Sequence, residues 1–252
     1  GGDTDFRVRS SGHREIVAIA DALNSTVSAL HERDRRLHRL ANHDSLTGLI
    51  NRAEFEHRLA AAVDSARYNS EQHALMYIDL DQFKLVNDSC GHLAGDELLR
   101  RLSRRLQDCI RDSDTLARLG GDEFGVLLNN CPLPRAQQIA QQLLEKIREY
   151  LFIWGERSFK VGASIGLLRV EGDEAVAQLL SLADMACYVA KEKGRNRVHV
   201  HSNSDKELAL RRGEMQWIQR LQSAMANHGL VLYSQPIRPL NDGVSHQELL
   251  LR

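Results

Sequence analysis

Thr115-Leu116-Ala117-Arg118-Leu119-Gly120-Gly121-Asp122-Glu123-Phe124-Gly125-Val126-Leu127-Leu128 is the stretch on which the fold turns. Two short apolar runs, 115–119 and 124–128, flank a turn at 120–123. Paired glycines permit the positive φ angles of a tight reversal, so the stretch reads as a β-hairpin with two acids in its turn. Upstream, residues 74–80 form an apolar run that reads as a buried strand, and Asp79 near its end has no packing reason to be there. If the hairpin lies beside that strand, Asp79, Asp122 and Glu123 meet at one sheet edge. Clustered carboxylates repel one another, and a hard divalent cation removes that cost and brings a polyphosphate with it. The competing reading makes Asp122 and Glu123 solvated turn residues and Asp79 a strand terminator, and spacing alone leaves both open.

Working outward, Asp44 or Ser45 caps a new turn and the run after Asn51 reads as an amphipathic helix through Tyr68. Further helices are expected over 95–110, 134–150 and 175–190, with strands over 159–168 and 197–200. Strands separated by helices, with one glycine-marked hairpin, describe an α/β sandwich built on a single sheet. Before residue 44, Ile16, Leu23, Leu30 and Leu37 fall seven apart, with Ala20, Val27, Asp34 and Ala41 between them. That is a coiled-coil seam, satisfied by a parallel helix pair or small bundle or by the helix lying on its own domain. After residue 201, a helix over 205–227 precedes two strands, 230–237 and 245–251, joined by a turn at 241–243. A helix and two strands cannot bury a core, so they read as the opening of a further domain. The expected domains are therefore 1–43, 44–201 and 202–252.

Between the acid-bearing strand and Gly95 lies a polar stretch, residues 81–94, read as a turn whose backbone N–H groups can cradle phosphate, with Lys84 beside it. Asn87 and Asp96 offer an amide and a carboxylate suited to a purine edge, although both residue types are equally at home in a turn and a first helical turn. Lys191 and Arg195 stand four apart, able to share an anion, with Gly194 ending the helix between them. Ordinary surface cations at a helix end would look the same.

Lys plus Arg number 33 against 34 Asp plus Glu, a net charge of −1 that excludes the basic character of a nucleic-acid binder. Four dispersed cysteines form no metal-ligand spacing and read as buried or half-buried thiols in a reducing compartment. No apolar stretch reaches the roughly 20 residues of a bilayer span, so this piece is expected to be soluble.

With these residues in view, the middle region resembles the GGDEF family of diguanylate cyclases. Gly120-Gly121-Asp122-Glu123-Phe124 is its signature, in company with His43-Asp44-Ser45-Leu46-Thr47-Gly48-Leu49, Asp79-Leu80-Asp81-Gln82-Phe83-Lys84, Asn87-Asp88, Gly91-His92, Gly95-Asp96, Ala183-Asp184, Ala190-Lys191 and Gly194-Arg195-Asn196. The resemblance implies a palm-like α/β (α+β) nucleotide-cyclase domain with a central, mainly antiparallel sheet flanked by helices, preceded by a coiled-coil helix. It implies magnesium or manganese held by Asp79, the Leu80 carbonyl and Glu123, with Asp122 joining them or deprotonating the attacking hydroxyl. Asp79, Asp122, Glu123 and Lys84 would carry catalysis; Phe83, Lys84, Asn87, Asp96, Gly121, Lys191 and Arg195 would bind GTP. The product would be cyclic di-GMP, made between two facing domains. Arg111-Asp112-Ser113-Asp114 resembles the family's inhibitory motif, whose arginine and second acid, here Arg111 and Asp114, bind product. A catalytically weak GTP-binding sensory domain that regulates an attached phosphodiesterase is the alternative.

The first region resembles the end of a HAMP module, at Asp5-Phe6-Arg7-Val8, Glu15-Ile16 and 18–24. This implies homodimerisation through the helix and a parent protein in the bacterial inner membrane with these domains in the cytoplasm. The last region resembles the start of an EAL phosphodiesterase domain, at Leu232-Tyr233-Ser234-Gln235-Pro236-Ile237 and Glu248-Leu249-Leu250-Leu251-Arg252. Gln235, Glu248 and Arg252 would belong to its site, which is too incomplete here for phosphodiesterase activity.

Overall fold

His73–Asp81 forms strand β1, the middle of a five-stranded sheet, and its inward residues are almost wholly buried. The computed structural model describes residues 14–202, 205, 232–237 and 246–251. Contacts divide the chain into two units, Gly1–His201 and Ser202–Arg252. Residues 5–8, the helix expected beyond Asp205, the turn at 241–243 and Arg252 lie outside the described residues.

In the first unit, β2 (Thr115–Gly120) and β3 (Glu123–Leu128) are the expected hairpin, and β3 pairs antiparallel with β1. On its other side β1 pairs antiparallel with β6 (Gly162–Val170), which pairs in parallel with β7 (Arg197–Val200). The order is β2-β3-β1-β6-β7. Successive side chains of a strand point to opposite faces. Met76, Ile78 and Leu80 accordingly join one core with Phe124 and Val126, under α4 (His92–Gln107) and α5 (Leu133–Arg148). Leu75 and Tyr77 join the other, under α2 (Arg52–Asn69) and α6 (Val176–Glu192). Asp79 follows Tyr77 on that second face. Fully burying a side chain such as Ile78 or Phe124 contributes roughly 1.5–3 kcal/mol.

Two expectations are corrected. Residues expected as a polar turn contain helix α3 (Phe83–Cys90), whose cap Gln82 supplies no side-chain bond. Phe83 and Val86 packing into the core hold it in place of local capping. The strand expected over 159–168 is two strands in different sheets: β5 (Arg157–Lys160) pairs only with β4 (Leu151–Trp154), a separate two-stranded hairpin. Phe152 meets Phe159 and stacks on Trp154, which draws 157–160 away from the main sheet.

Helix α1 (Arg14–Asn42) spans 29 residues, roughly 43 Å at 1.5 Å per residue. Leu23 and Leu30 of the heptad seam are exposed, at 49% and 57%. The chain then reverses: His43 bridges Ile50, and Asn51 donates to the Ala41 carbonyl while accepting from the Glu54 N–H to cap α2. All four cysteines are free thiols, Cys131 and Cys187 buried and Cys90 and Cys109 half-buried. No helix among the described residues is long and apolar enough to cross a membrane.

In the second unit, β8 (Leu232–Ile237) and β9 (His246–Leu251) pair antiparallel with Gln235 opposite Glu248.

Candidate active site

Strand register brings the two acid-bearing stretches together. Asp79 lies directly opposite Glu123 across β1 and β3, and the Leu80 N–H donates to the Asp122 carbonyl at 3.2 Å. The turn between β2 and β3 is held open by Gly121 in the left-handed region, at φ 45°. Below the pair, the buried Tyr77 phenol donates to Glu123; burial first, and that bond second, push its ionisation far above the usual range. Arg52, paired with Glu56 at 2.9 Å, lies within electrostatic reach of Glu123.

Asp79 itself is engaged by Lys191 near the end of α6, with Nζ 2.5 Å from Oδ2. Burial and the neighbouring Asp122 and Glu123 charges nevertheless raise the Asp79 pKa, with Lys191 opposing them. The strand register thus brings the three acid-bearing positions to one sheet edge, where the Asp122 and Glu123 charges act on Asp79. Among the described residues no three metal-ligating side chains stand close enough to hold an ion. The cation that Asp79 does meet is the Lys191 ammonium. A hard oxygen donor set that raises its own pKa and attracts an ammonium fits a divalent cation once the lysine withdraws.

Four of the remaining predicted residues fall on the neighbouring helices α3 and α4. Lys84 is exposed on α3 and Phe83 is half-buried beneath it; Asn87 and Asp96 are half-buried on α3 and α4. A Cβ added at Gly95 would stand 2.0 Å from Asn87 Oδ1 and 2.9 Å from the Phe83 ring, so glycine alone lets the two helices close at this point. Arg195 is exposed after α6, in a run of positive φ angles: 111° at Gly194, 59° at Arg195 and 50° at Asn196. Such a run persists only when its surroundings hold it. Asp81 does so, accepting from the Asn196 N–H at 2.9 Å and from Ser164 Oγ at 2.8 Å. Arg111 and Asp114 form a separate turn, the Asp114 N–H donating to the Arg111 carbonyl at 3.0 Å and Asp114 Oδ1 accepting from the Asn129 N–H at 3.1 Å.

Sequence reasoning quoted Asp81 and Asp184 within motifs without giving them a role, and it missed Tyr77 and Arg118. Asp184 on α6 has its pKa raised by burial while Lys191 and Arg52 pull it down. Arg118 joins the signature turn to the chain leaving α1: Nε and Nη2 both donate to the Gly121 carbonyl, at 2.9 and 2.8 Å, and Nη1 reaches both Asp44 oxygens, at 3.2 and 3.1 Å. Burial raises the Asp44 pKa, but the two Thr47 bonds and Arg118 outweigh it, leaving the value lowered. A depressed carboxylate contributes stability above its unfolded pKa and loses it as pH falls through the folded one. Arg118→Ala should therefore cost roughly 1.5–3 kcal/mol at neutral pH, the range for a bond to a charged group. Urea unfolding should show that difference shrinking below pH 4, with turnover reduced as the Gly121 turn loosens.

The fold is a mixed α/β domain with a partly antiparallel sheet flanked by helices. The family model described as diguanylate cyclase, GGDEF domain, matches residues 41–197, and the chain belongs to that family. It is 43% identical over 203 residues to a probable diguanylate cyclase, DgcE of Escherichia coli, covering 78% of this chain and 18% of DgcE. It is 40% identical over 220 residues to the cyclic di-GMP phosphodiesterase PdeB of Shewanella oneidensis, covering 86% of this chain and 25% of PdeB. The solved GGDEF domain of TpbB from Pseudomonas aeruginosa matches with a TM-score of 0.63 at 37% identity, covering 67% of this chain and 99% of that one. The coiled coil and GGDEF domain of DgcB from Caulobacter crescentus, solved with c-di-GMP, matches with a TM-score of 0.68 at 25% identity, over 75% of this chain and 100% of that one. The chain spans less than half the length of these curated relatives.

Proposed function

We propose that this chain is a diguanylate cyclase that condenses two GTP molecules into cyclic di-GMP, releasing two pyrophosphates. The observation that carries this reading is the Asp79–Glu123 register, with Asp122 in the adjoining turn and Lys191 at the same edge. Each domain would hold one GTP, with Asn87 and Asp96 on the guanine and Lys84, Lys191 and Arg195 on the phosphates. Asp79, Glu123 and the Leu80 carbonyl would hold magnesium or manganese, with Asp122 joining them or accepting the proton of the attacking hydroxyl. The ion supplies neutralisation of charge on the phosphate oxygens. The 3′-oxygen of one nucleotide forms a bond to the α-phosphorus of the other as the bond to pyrophosphate breaks, and a second such step closes the ring. Two domains must face each other, which the exposed seam of α1 would favour by pairing helices.

The flanking regions are read as the end of a HAMP module and the start of an EAL domain, in a parent protein anchored in the bacterial inner membrane. Product would bind at Arg111 and Asp114 and slow the enzyme.

The rival reading, a GTP-binding sensory domain without effective turnover, draws on the Lys191–Asp79 contact, which engages a carboxylate that an ion would need. Incubation with GTP and magnesium, read by chromatography, separates the two. Accumulation of cyclic di-GMP and pyrophosphate is expected; GTP binding with no product, at concentrations where dimers form, would support the sensory reading.

A further inference from the structure

Two adjoining hollows open on either side of Arg58, at the base of the loop between α4 and β2. One, of about 320 Å³, is lined by Arg58, Ser65, His73, Asp112 and Asp114. The other, of about 250 Å³, is lined by Arg58, His43, Gly48, Arg111 and Asp114. Arg58, on α2, is therefore common to both and faces the same loop as Arg111. Its guanidinium is held there by two bonds: Nε to Glu54 Oε1 at 2.8 Å and Nη1 to Thr115 Oγ1 at 3.4 Å. These engage two of the five N–H groups a guanidinium carries.

We propose that Arg58 is a second guanidinium of the product site, and that a guanine nucleotide seated at Arg111 and Asp114 extends into the hollows beside it. The inference rests on the product-binding reading of Arg111 and Asp114 and adds to it. The chemistry of the walls fits this ligand class. Guanine presents O6 and N7, which a guanidinium fork meets with two bonds, and N–H groups that a carboxylate accepts. Two arginines with Asp112 and Asp114 offer both kinds of partner and leave a cation for phosphate. The Asp114 turn is anchored by Asn129, so the acid is presented from a fixed backbone. One hollow is walled by His43 and Gly48, which are joined at 3.0 Å and belong to the reversal between α1 and α2. Product held there touches the joint through which helix α1 reaches the domain.

The test is titration calorimetry of the whole chain with cyclic di-GMP, without GTP. Arg111→Ala and Arg58→Ala should each weaken binding at least tenfold, with Arg58→Lys weakened less because it keeps the charge and loses the fork. Glu54→Gln should tighten binding two- to threefold by removing the carboxylate that competes for Arg58. Unchanged affinity in Arg58→Ala, beside a loss in Arg111→Ala, would remove Arg58 from the site and leave the inhibitory reading intact. Unchanged affinity in Arg111→Ala would overturn that reading itself. Weakening by Glu54→Gln as large as that by Arg58→Ala would make Arg58 a structural tie and sink the proposal. If Arg58→Ala does not give a cooperative melt, the Lys variant decides.

Discussion

Asp79→Asn is expected to lower cyclic di-GMP formation at least about a thousandfold, some 4 kcal/mol of transition-state stabilisation. The change preserves shape and removes one charge from the position where Glu123 lies opposite and Lys191 stands at 2.5 Å. Its selectivity for function follows from the direction of the Asp79 pKa. Burial and the charges of Asp122 and Glu123 already disfavour the carboxylate, with Lys191 opposing them. Neutralising it relieves that repulsion while leaving Lys191 half-buried without its counter-charge. The two effects oppose each other, so thermal melting should move far less than turnover. Loss of turnover accompanied by a large fall in Tm would instead assign Asp79 a structural role.

Gly166→Ala tests the packing that delivers Lys191 to the site. On β6, a Cβ at this position would stand 2.2 Å from the Ala183 carbonyl and 2.4 Å from the Cys187 nitrogen, both backbone atoms of α6. Neither neighbour can rotate aside, so the helix must lift from the sheet. Overpacking of this kind costs about 1–3 kcal/mol and occasionally more, or roughly 3–10 °C in Tm for a domain of this size. Because α6 carries both Asp184 and Lys191, turnover should fall alongside stability, as read by calorimetric melting and a GTP turnover assay. A Gly166→Ala protein with unaltered Tm and rate would show that α6 does not need this close approach.

Much of the fold was legible because its signals are local. Residues 115–128 announce a hairpin, and an apolar run ending in an acid announces a buried strand with a chemical reason to break its pattern. The antiparallel pairing of β3 with β1 then follows as the arrangement that joins their acids. Helix α3 was not legible: Asn87, Asp88 and Ser89 are turn formers, and Gln82 caps nothing. Its helicity is imposed by the packing of Phe83 and Val86. The β4–β5 hairpin was hidden because Phe159 and Val161 continue an apolar alternation into β6, and only their pairing partners differ.

The site divides in the same way. Asp79, Asp122 and Glu123 could be read from their positions near a strand end and in the hairpin turn. Arg118 could not, because its meaning lies in Asp44, 74 residues away, and in the Gly121 carbonyl. Asp81 carried a usable signal, since it follows Asp79 by two residues on the same strand face, where a second buried acid also requires a reason. Its partners, Ser164 and Asn196, were beyond reach of spacing. Lys191 was read with Arg195 as able to share an anion, and its contact with Asp79, on a strand 112 residues earlier, was not anticipated.

That contact is also where the proposed chemistry is most exposed to test. A crystal structure of the chain with magnesium and a GTP analogue that cannot be cleaved at the α-phosphate should place the ion between β1 and β3, against Asp79 and Glu123, with Lys191 turned from the carboxylate to a phosphate oxygen. Nucleotide and ion bound elsewhere, with the Lys191–Asp79 pair still closed, would contradict it.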